Sequence, residues 1–251
     1  MRKKLIGLIL GTMMVLGGGS VALAEQATLT FYGQSAFSLK DANSHIVIDP
    51  YISTSPWKAK TGIGMEQVGT TQLILVTHGH NDHIGDAVAL SKRDNTTVVA
   101  IAELGAMLKE RGAQTTPMSI GGKRKFDFGT VKMTHAIHGS GVAGALATGF
   151  VVEFGGKSIY HAGDTALFKD MELIGQEGID YALLPIGDNY TMGMDDAVKA
   201  VGMLKPKYVI PMHYDTNPYI KQDPKLFKAA VEKKYKNVKV IIMQPGETIK
   251  I

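Results

Sequence analysis

Four side chains that bind cations, His78, His80, Asp82 and His83, fall within six residues of the stretch Leu73-Ile-Leu-Val-Thr-His-Gly-His-Asn-Asp-His-Ile-Gly85. The apolar run Leu73–Val76 ahead of them has the length and composition of a buried strand. Ile84 to Leu90 space their apolar residues as a helix does. The cluster therefore sits where a strand ends and a helix begins, the crevice in which open α/β sheets hold ligands. Residues two apart in an extended segment point the same way, so His78 and His80 can share one target. Asp82 and His83 enter the first helical turn and swing to another side. Three imidazoles and a carboxylate at this spacing crowd a single ion. They suit two adjacent divalent ions, each completed by ligands from later in the chain. The alternative is a polar loop with surface histidines, against which the density of such groups directly after a buried strand argues.

The run His78-Gly-His-Asn-Asp-His83 resembles the H-x-H-x-D-H signature of the metallo-β-lactamase fold superfamily. Tyr32-Gly-Gln-Ser-Ala-Phe37 with Ile48-Asp-Pro50, and later Thr191-Met-Gly193 and Pro211-Met-His-Tyr214, resemble one branch of it. That branch is the UPF0173-type metal-dependent hydrolases, related to the ascorbate-phosphate lactonases. Its members usually carry a histidine where this chain has Gln34. The likeness covers most of the chain after residue 24. It implies an α/β fold, the four-layer αββα sandwich, with metals at one edge between two sheets. It further implies that His78, His80 and His138 hold one metal, that Asp82, His83 and His213 hold a second, and that Asp164 and a solvent-derived hydroxide bridge them.

The elements that must position these groups follow from pattern. Strands are predicted over Ala27–Tyr32, Ser35–Leu39, His45–Asp49, Thr97–Ile101, Lys125–Phe128, Val131–Ala136, Thr148–Phe154, Lys157–Tyr160, Tyr181–Pro185, Tyr208–Pro211 and Val238–Ile242. Helices are predicted from Ile84 to Lys92, over Ala102–Arg111 and Leu167–Gly175, from Met194 to Leu204 and over Pro224–Lys234. Gly155-Gly156 supplies a tight hairpin. The strand ending near Ala136 delivers His135 and His138; one of them is expected in the site, and the resemblance selects His138. Asp164, in His161-Ala-Gly-Asp-Thr165, either binds metal or caps the helix after it. His161 is left without a ligand position and is expected to orient a neighbour. Asp49 either orients a ligand histidine or caps a turn. Trp57, in the long polar segment Ser53–Thr71, either walls a substrate pocket or pins a surface loop. Asn189, Tyr190 and Tyr214 lie beside ligand strands, where they could polarise a substrate.

The N-terminus reads separately. Arg2, Lys3 and Lys4 precede the apolar run Leu5–Leu16, then come three glycines and Ala22-Leu-Ala24. This is the pattern of a signal peptide, residues 1–24, cleaved after Ala24; an uncleaved anchor is the alternative. Residues 25–251 would then form one metallo-hydrolase domain, exported and meeting the membrane only during export. The chain carries 27 basic and 23 acidic residues, and losing the three basic ones leaves a charge of +1. So neutral a domain argues against nucleic-acid binding, which wants a basic face. With no cysteine, the metal donors must be His, Asp or Glu. Zinc is expected, and manganese or iron accept the same donors.

The chemistry implied is metal-assisted hydrolysis of a small-molecule lactone, ester or phosphodiester, with Asp82 orienting the nucleophile or carrying a proton. Two divalent ions less two carboxylates leave a positive centre that attracts anions and stabilises an oxyanion. A metal-dependent oxidoreductase on the same fold, a nuclease and a non-catalytic metal-binding protein are the alternatives.

Overall fold

A computed structural model describes residues 26–251; the segment read as a signal peptide, residues 1–24, lies outside them. The chain opens as a three-stranded antiparallel meander of β1 (Thr28–Gly33), β2 (Ala36–Lys40) and β3 (His45–Ile48). The long connection after it holds a short helix, α1 (Lys58–Thr61). Three parallel strands follow, β4 (Leu73–Leu75), β5 (Thr97–Ile101) and β6 (Gln114–Met118), interleaved with α2 (Asn81–Ile84), α3 (Ala87–Asp94) and α4 (Ala102–Glu110).

The second half repeats this plan. An antiparallel meander of β7 (Lys123–Phe126), β8 (Gly129–His135), β9 (Thr148–Phe154) and β10 (Lys157–His161) comes first. It continues through α5 (Met171–Gly175), β11 (Tyr181–Pro185), α6 (Met194–Leu204), β12 (Tyr208–Met212), α7 (Pro224–Lys234) and β13 (Lys239–Val240), with β10 to β13 parallel. Strand β14 (Thr248–Lys250) crosses back to pair with β1. The sheets are β14-β1-β2-β3-β4-β5-β6 and β13-β12-β11-β10-β9-β8-β7.

Strands β4 and β11 are buried along their whole length, as parallel strands covered on both faces must be. Their continuous apolar composition follows from that. The main core lies between the sheets and under the helices, with Tyr160, Phe37, Phe150, Phe154 and Phe227 its largest fully buried side chains. Helices α3 and α4 pack on the first sheet, and α6 and α7 on the second, which completes the expected αββα sandwich. No helix among the described residues is long and apolar enough to cross a membrane.

Some local expectations give way. The helix expected from Ile84 is broken: Gly85, at φ +41°, ends α2, and α3 starts afresh at Ala87. At the break Asp86 N donates to Pro50 O, and Asp86 Oδ2 accepts from the backbone of Ile52 and Ser53. The ligand-bearing turn is thereby clamped to the chain that follows β3. A Cβ on Gly85 would lie 2.3 Å from Pro50 O and 2.5 Å from Tyr51 Cα. Gly85→Ala is therefore expected to destabilise by about 3 kcal/mol or more, combining a strained φ with overpacking. In thermal unfolding that is a fall of roughly 6–12 °C.

The helix expected from Leu167 begins at Met171. Ala166 N is donated to Ile137 O and Thr165 O accepts from Met192 N, so this backbone is spent on neighbouring loops. Asp164 and Thr165 consequently cap no helix. Strands β6 and β14 were not expected. Both lie at an edge of the first sheet, where Pro117 is tolerated and apolar alternation is not required.

Candidate metal centre

Every candidate ligand stands at or just past the C-terminal end of a strand on one edge of the sandwich. His78, His80, Asp82 and His83 follow β4, His138 follows β8, Asp164 follows β10 and His213 follows β12. Two groups of donors result, each with all its atoms within 4.8 Å of one another: His78, His80, His138 and Asp164, and Asp82, His83, Asp164 and His213. Asp164 belongs to both. All seven predicted ligands are thus brought together.

In the first group, His80 Nδ1 lies 2.9 Å from His78 Nε2 and 3.3 Å from His138 Nε2. Three imidazole nitrogens converging this closely have a shared target, because neutral rings offer too few protons to satisfy one another. In the second, His213 Nε2 lies 3.4 Å from Asp82 Oδ2 and 3.0 Å from Asp164 Oδ2, and His83 Nε2 lies 3.3 Å from Asp164 Oδ2. The close approaches to Asp164 are not aligned as hydrogen bonds. Nε2 of His83, Nε2 of His213 and Oδ1 of Asp164 are buried without a partner. Buried polar atoms are rarely left so; a divalent cation among them satisfies each, and the donor set suits it.

The groups behind the ligands fix their rings. Asp49 is fully buried and accepts from Thr77 N at 2.8 Å and Thr77 Oγ1 at 2.7 Å. His83 Nδ1 meets the same carboxylate at 2.7 Å. When His83 is neutral, as a ligand must be, its proton is thereby held on Nδ1 and the lone pair on Nε2 faces the site. Thr77 Oγ1 lies 3.0 Å from His78 Nδ1; with its own proton given to Asp49 it accepts there, which leaves His78 Nε2 free in the same way. Asp49 therefore orients a ligand, the first of its two readings.

His161 is buried, with Nε2 donating to Ser35 O at 2.9 Å and Nδ1 accepting from Gly163 N at 3.2 Å. It holds the turn that presents Asp164, as expected of a group with no ligand position. Gly163 sits in that turn at φ +61°, where glycine is favoured. A Cβ there would meet Thr148 O at 2.6 Å and Thr77 Cβ at 3.0 Å.

The electrostatics divide the histidines. His78 is held down to about 2 by burial and by the charge of His83, against the pull of Asp164; burial also lowers His138. His213 is raised to about 9 and His83 well above its usual value, because Asp164 outweighs the burial that opposes both. Burial works to raise Asp82 and Asp164 too. The proximity and charge of His213, with the charge of His83, nevertheless hold both carboxyls below their usual range. Without metal, the imidazoliums of His83 and His213 lie among the carboxylates of Asp49, Asp82 and Asp164.

The chain matches the family model described as the β-lactamase superfamily domain over residues 44–214. It is 46% identical over 224 residues to a UPF0173 metal-dependent hydrolase of Symbiobacterium thermophilum, covering 88% of this chain and 98% of that one. A UPF0173 metal-dependent hydrolase of Desulforamulus reducens is 49% identical over 232 residues, covering 89% and 99%. The chain belongs to the UPF0173 metal-dependent hydrolases, within the metallo-β-lactamase superfamily. Among solved structures, the metallo hydrolase Igni18 from Ignicoccus hospitalis superposes with a TM-score of 0.83 at 38% identity, covering 90% of this hydrolase and 98% of its own chain.

Other candidates stay out of the cluster. His135 stacks edge-on against Phe168, with ring centroids 5.7 Å apart, so its partner His138 is the one delivered. Tyr214 packs half-buried against the main core, and burial pushes its hydroxyl up to about 12. Asn189 and Tyr190 are exposed on the loop after β11. Trp57 lies against Gly33, where a Cβ would come 2.3 Å from its ring, so it pins the β1–β2 turn. Sequence reasoning missed Thr77, although it directly precedes the motif, and gave Gln34 no role. Gln34 Nε2 donates to Asp82 Oδ2 at 2.9 Å.

Proposed function

We propose that this hydrolase acts through two divalent ions held on either side of Asp164, with a small-molecule lactone, ester or phosphodiester as substrate. The observation that supports this best is the position of Asp164 Oδ2. It faces ring nitrogens of His78 and His138 at 3.9 and 3.6 Å, and of His83 and His213 at 3.3 and 3.0 Å. These residues would hold the ions, which when bound would supply a hydroxide nucleophile near neutral pH and polarise the scissile carbonyl or phosphoryl group. Zinc fits the His/Asp donors, and manganese and iron accept them as well.

The protein residues do the rest. His78, His83, Asp164 and His213 form a buried floor, while the side chain of Asp82 is 35% exposed and that of His138 15%. Substrate approaches over the Asp82–His138 side. Asp82 is the carboxylate placed to orient the nucleophile or take its proton. Two ions against the two carboxylates leave the centre cationic, which favours anionic substrates. We further propose that the protein acts after export, with residues 1–24 removed, and that nucleic acid is not its substrate. Metal-stripped protein reloaded with zinc should hydrolyse members of a panel of lactones, aryl esters and phosphodiesters. Full reloading with no turnover of any class would overturn the reading.

Metal uptake should release protons. His83 and His213 carry protons in the metal-free protein at pH 7 and must lose them to become ligands. About two protons per chain are expected from these rings, and calorimetry in buffers of different ionisation enthalpy would count them. Affinity for metal should rise with pH until His213 deprotonates near 9. The stability that protonated His213 lends the metal-free fold has the opposite slope. Its folded value lies above the unfolded one of about 6.5, so that contribution is complete below about pH 6.5 and is lost as pH rises through 9.

A further inference from the structure

We infer that Gln34 is a positioning residue for the second ion: it holds Asp82 in ligand orientation and ties it to the chain that carries His213. The inference rests on the two-ion reading above. Gln34 sits in the two-residue turn between β1 and β2, at φ +53° and 3% exposed. Three hydrogen bonds leave it in useful directions. Nε2 donates to Asp82 Oδ2 at 2.9 Å, Oε1 accepts from Thr216 Oγ1 at 2.6 Å, and the backbone carbonyl accepts from His213 N at 2.8 Å.

Chemistry fixes which end of the amide points where. Ionised Asp82 only accepts, so the amide nitrogen must face it, and the amide oxygen then takes the Thr216 hydroxyl. The bond reaches Oδ2, the same atom that lies 3.4 Å from His213 Nε2 and 3.8 Å from His83 Nε2. Gln34 thus sets the Asp82 oxygen that faces both histidines of the second group. It does so without charge; a cation in its place would repel the incoming ion.

A non-glycine residue at this φ is strained, and glycine would sit there at lower cost. His213 and Asp49 are in the same left-handed region, at φ +56° and +46°. The turn itself is anchored independently of the Gln34 side chain: Ser35 O accepts from His161, and Trp57 covers Gly33. Removing the amide should therefore leave the turn standing and release Asp82.

Two substitutions test this. Gln34→Gly relieves the backbone and deletes the amide; Gln34→Met keeps the length of the side chain and deletes both of its hydrogen bonds. Stepwise cobalt(II) titration of the metal-free protein, followed by its visible absorption, should show two equivalents in the wild type. In both variants the first should bind within about twofold of wild type, and the second roughly 10–100-fold more weakly, as loss of an orienting partner does. The absorption bands of the second equivalent should shift, and excess metal should restore hydrolysis. Thr216→Val, which cuts only the far arm, should weaken the second ion in the same direction by less. Two equivalents bound normally by both variants, or equal weakening of both, would overturn the proposal alone. A wild type saturated by one ion would overturn the two-ion reading and this proposal with it.

Discussion

Asp164→Asn should empty the centre while leaving the fold in place. The amide matches the carboxyl in volume, so the buried turn after β10 keeps its packing. It loses the charge that faces four imidazoles, and its nitrogen cannot take a ligand's place. Metal content of the purified protein is expected to fall from two ions per chain to less than one. Hydrolysis should fall on the order of 10²–10³-fold, the scale reached when one preorganised charge-stabilising group is lost from an active site. His83 and His213 also lose the neighbour that raises them, so the proton release on metal addition should shrink. Elemental analysis and a rate measurement on the same preparation decide the matter. Full metal content with wild-type turnover would mean that Asp164 only anchors a loop.

Asp49→Ala should act through both stability and metal. The carboxylate receives the Thr77 amide, the Thr77 hydroxyl and His83 Nδ1. Leaving several buried donors unpaired costs about 1–3 kcal/mol each, and breaking a buried ion pair about 3–5 kcal/mol. A loss of about 4 kcal/mol is expected, read as a fall of roughly 8–16 °C in unfolding temperature for a chain of this size. Metal affinity should drop about 10–100-fold as His83 loses its fixed ring orientation. Excess zinc should restore activity to Asp49→Ala and not to Asp164→Asn. That contrast separates a group that orients a ligand from a ligand.

Pattern marked where the ligands stand, by a short apolar run and then a polar residue able to bind metal, and the resemblance assigned them to a metal set. Leu73–Val76 announces His78, Tyr181–Pro185 and Tyr208–Pro211 frame the edge that carries His213, and the strand into His161 announces Asp164. Choosing His138 over His135 needed more than pattern, since both follow the same strand; resemblance selected it and the Phe168 contact accounts for the other. What was not legible depends on partners far apart in sequence. The role of Gln34 exists only because Asp82 and Thr216 arrive beside it from 48 and 182 residues away. The break at Gly85 comes from the close approach of Pro50 and Tyr51, which no helical pattern records. Strands β6 and β14 are edge strands defined by pairing alone, with Gln114–Met118 too polar to read as a strand on its own.

The most direct measurement is a crystal structure of the zinc-loaded protein, with the ions located from anomalous scattering at the zinc edge. Two peaks per chain are expected, about 3.5–4 Å apart and bridged by Asp164, one facing His78, His80 and His138 and the other Asp82, His83 and His213. A single peak, or a second one outside this cluster, would contradict the two-ion account.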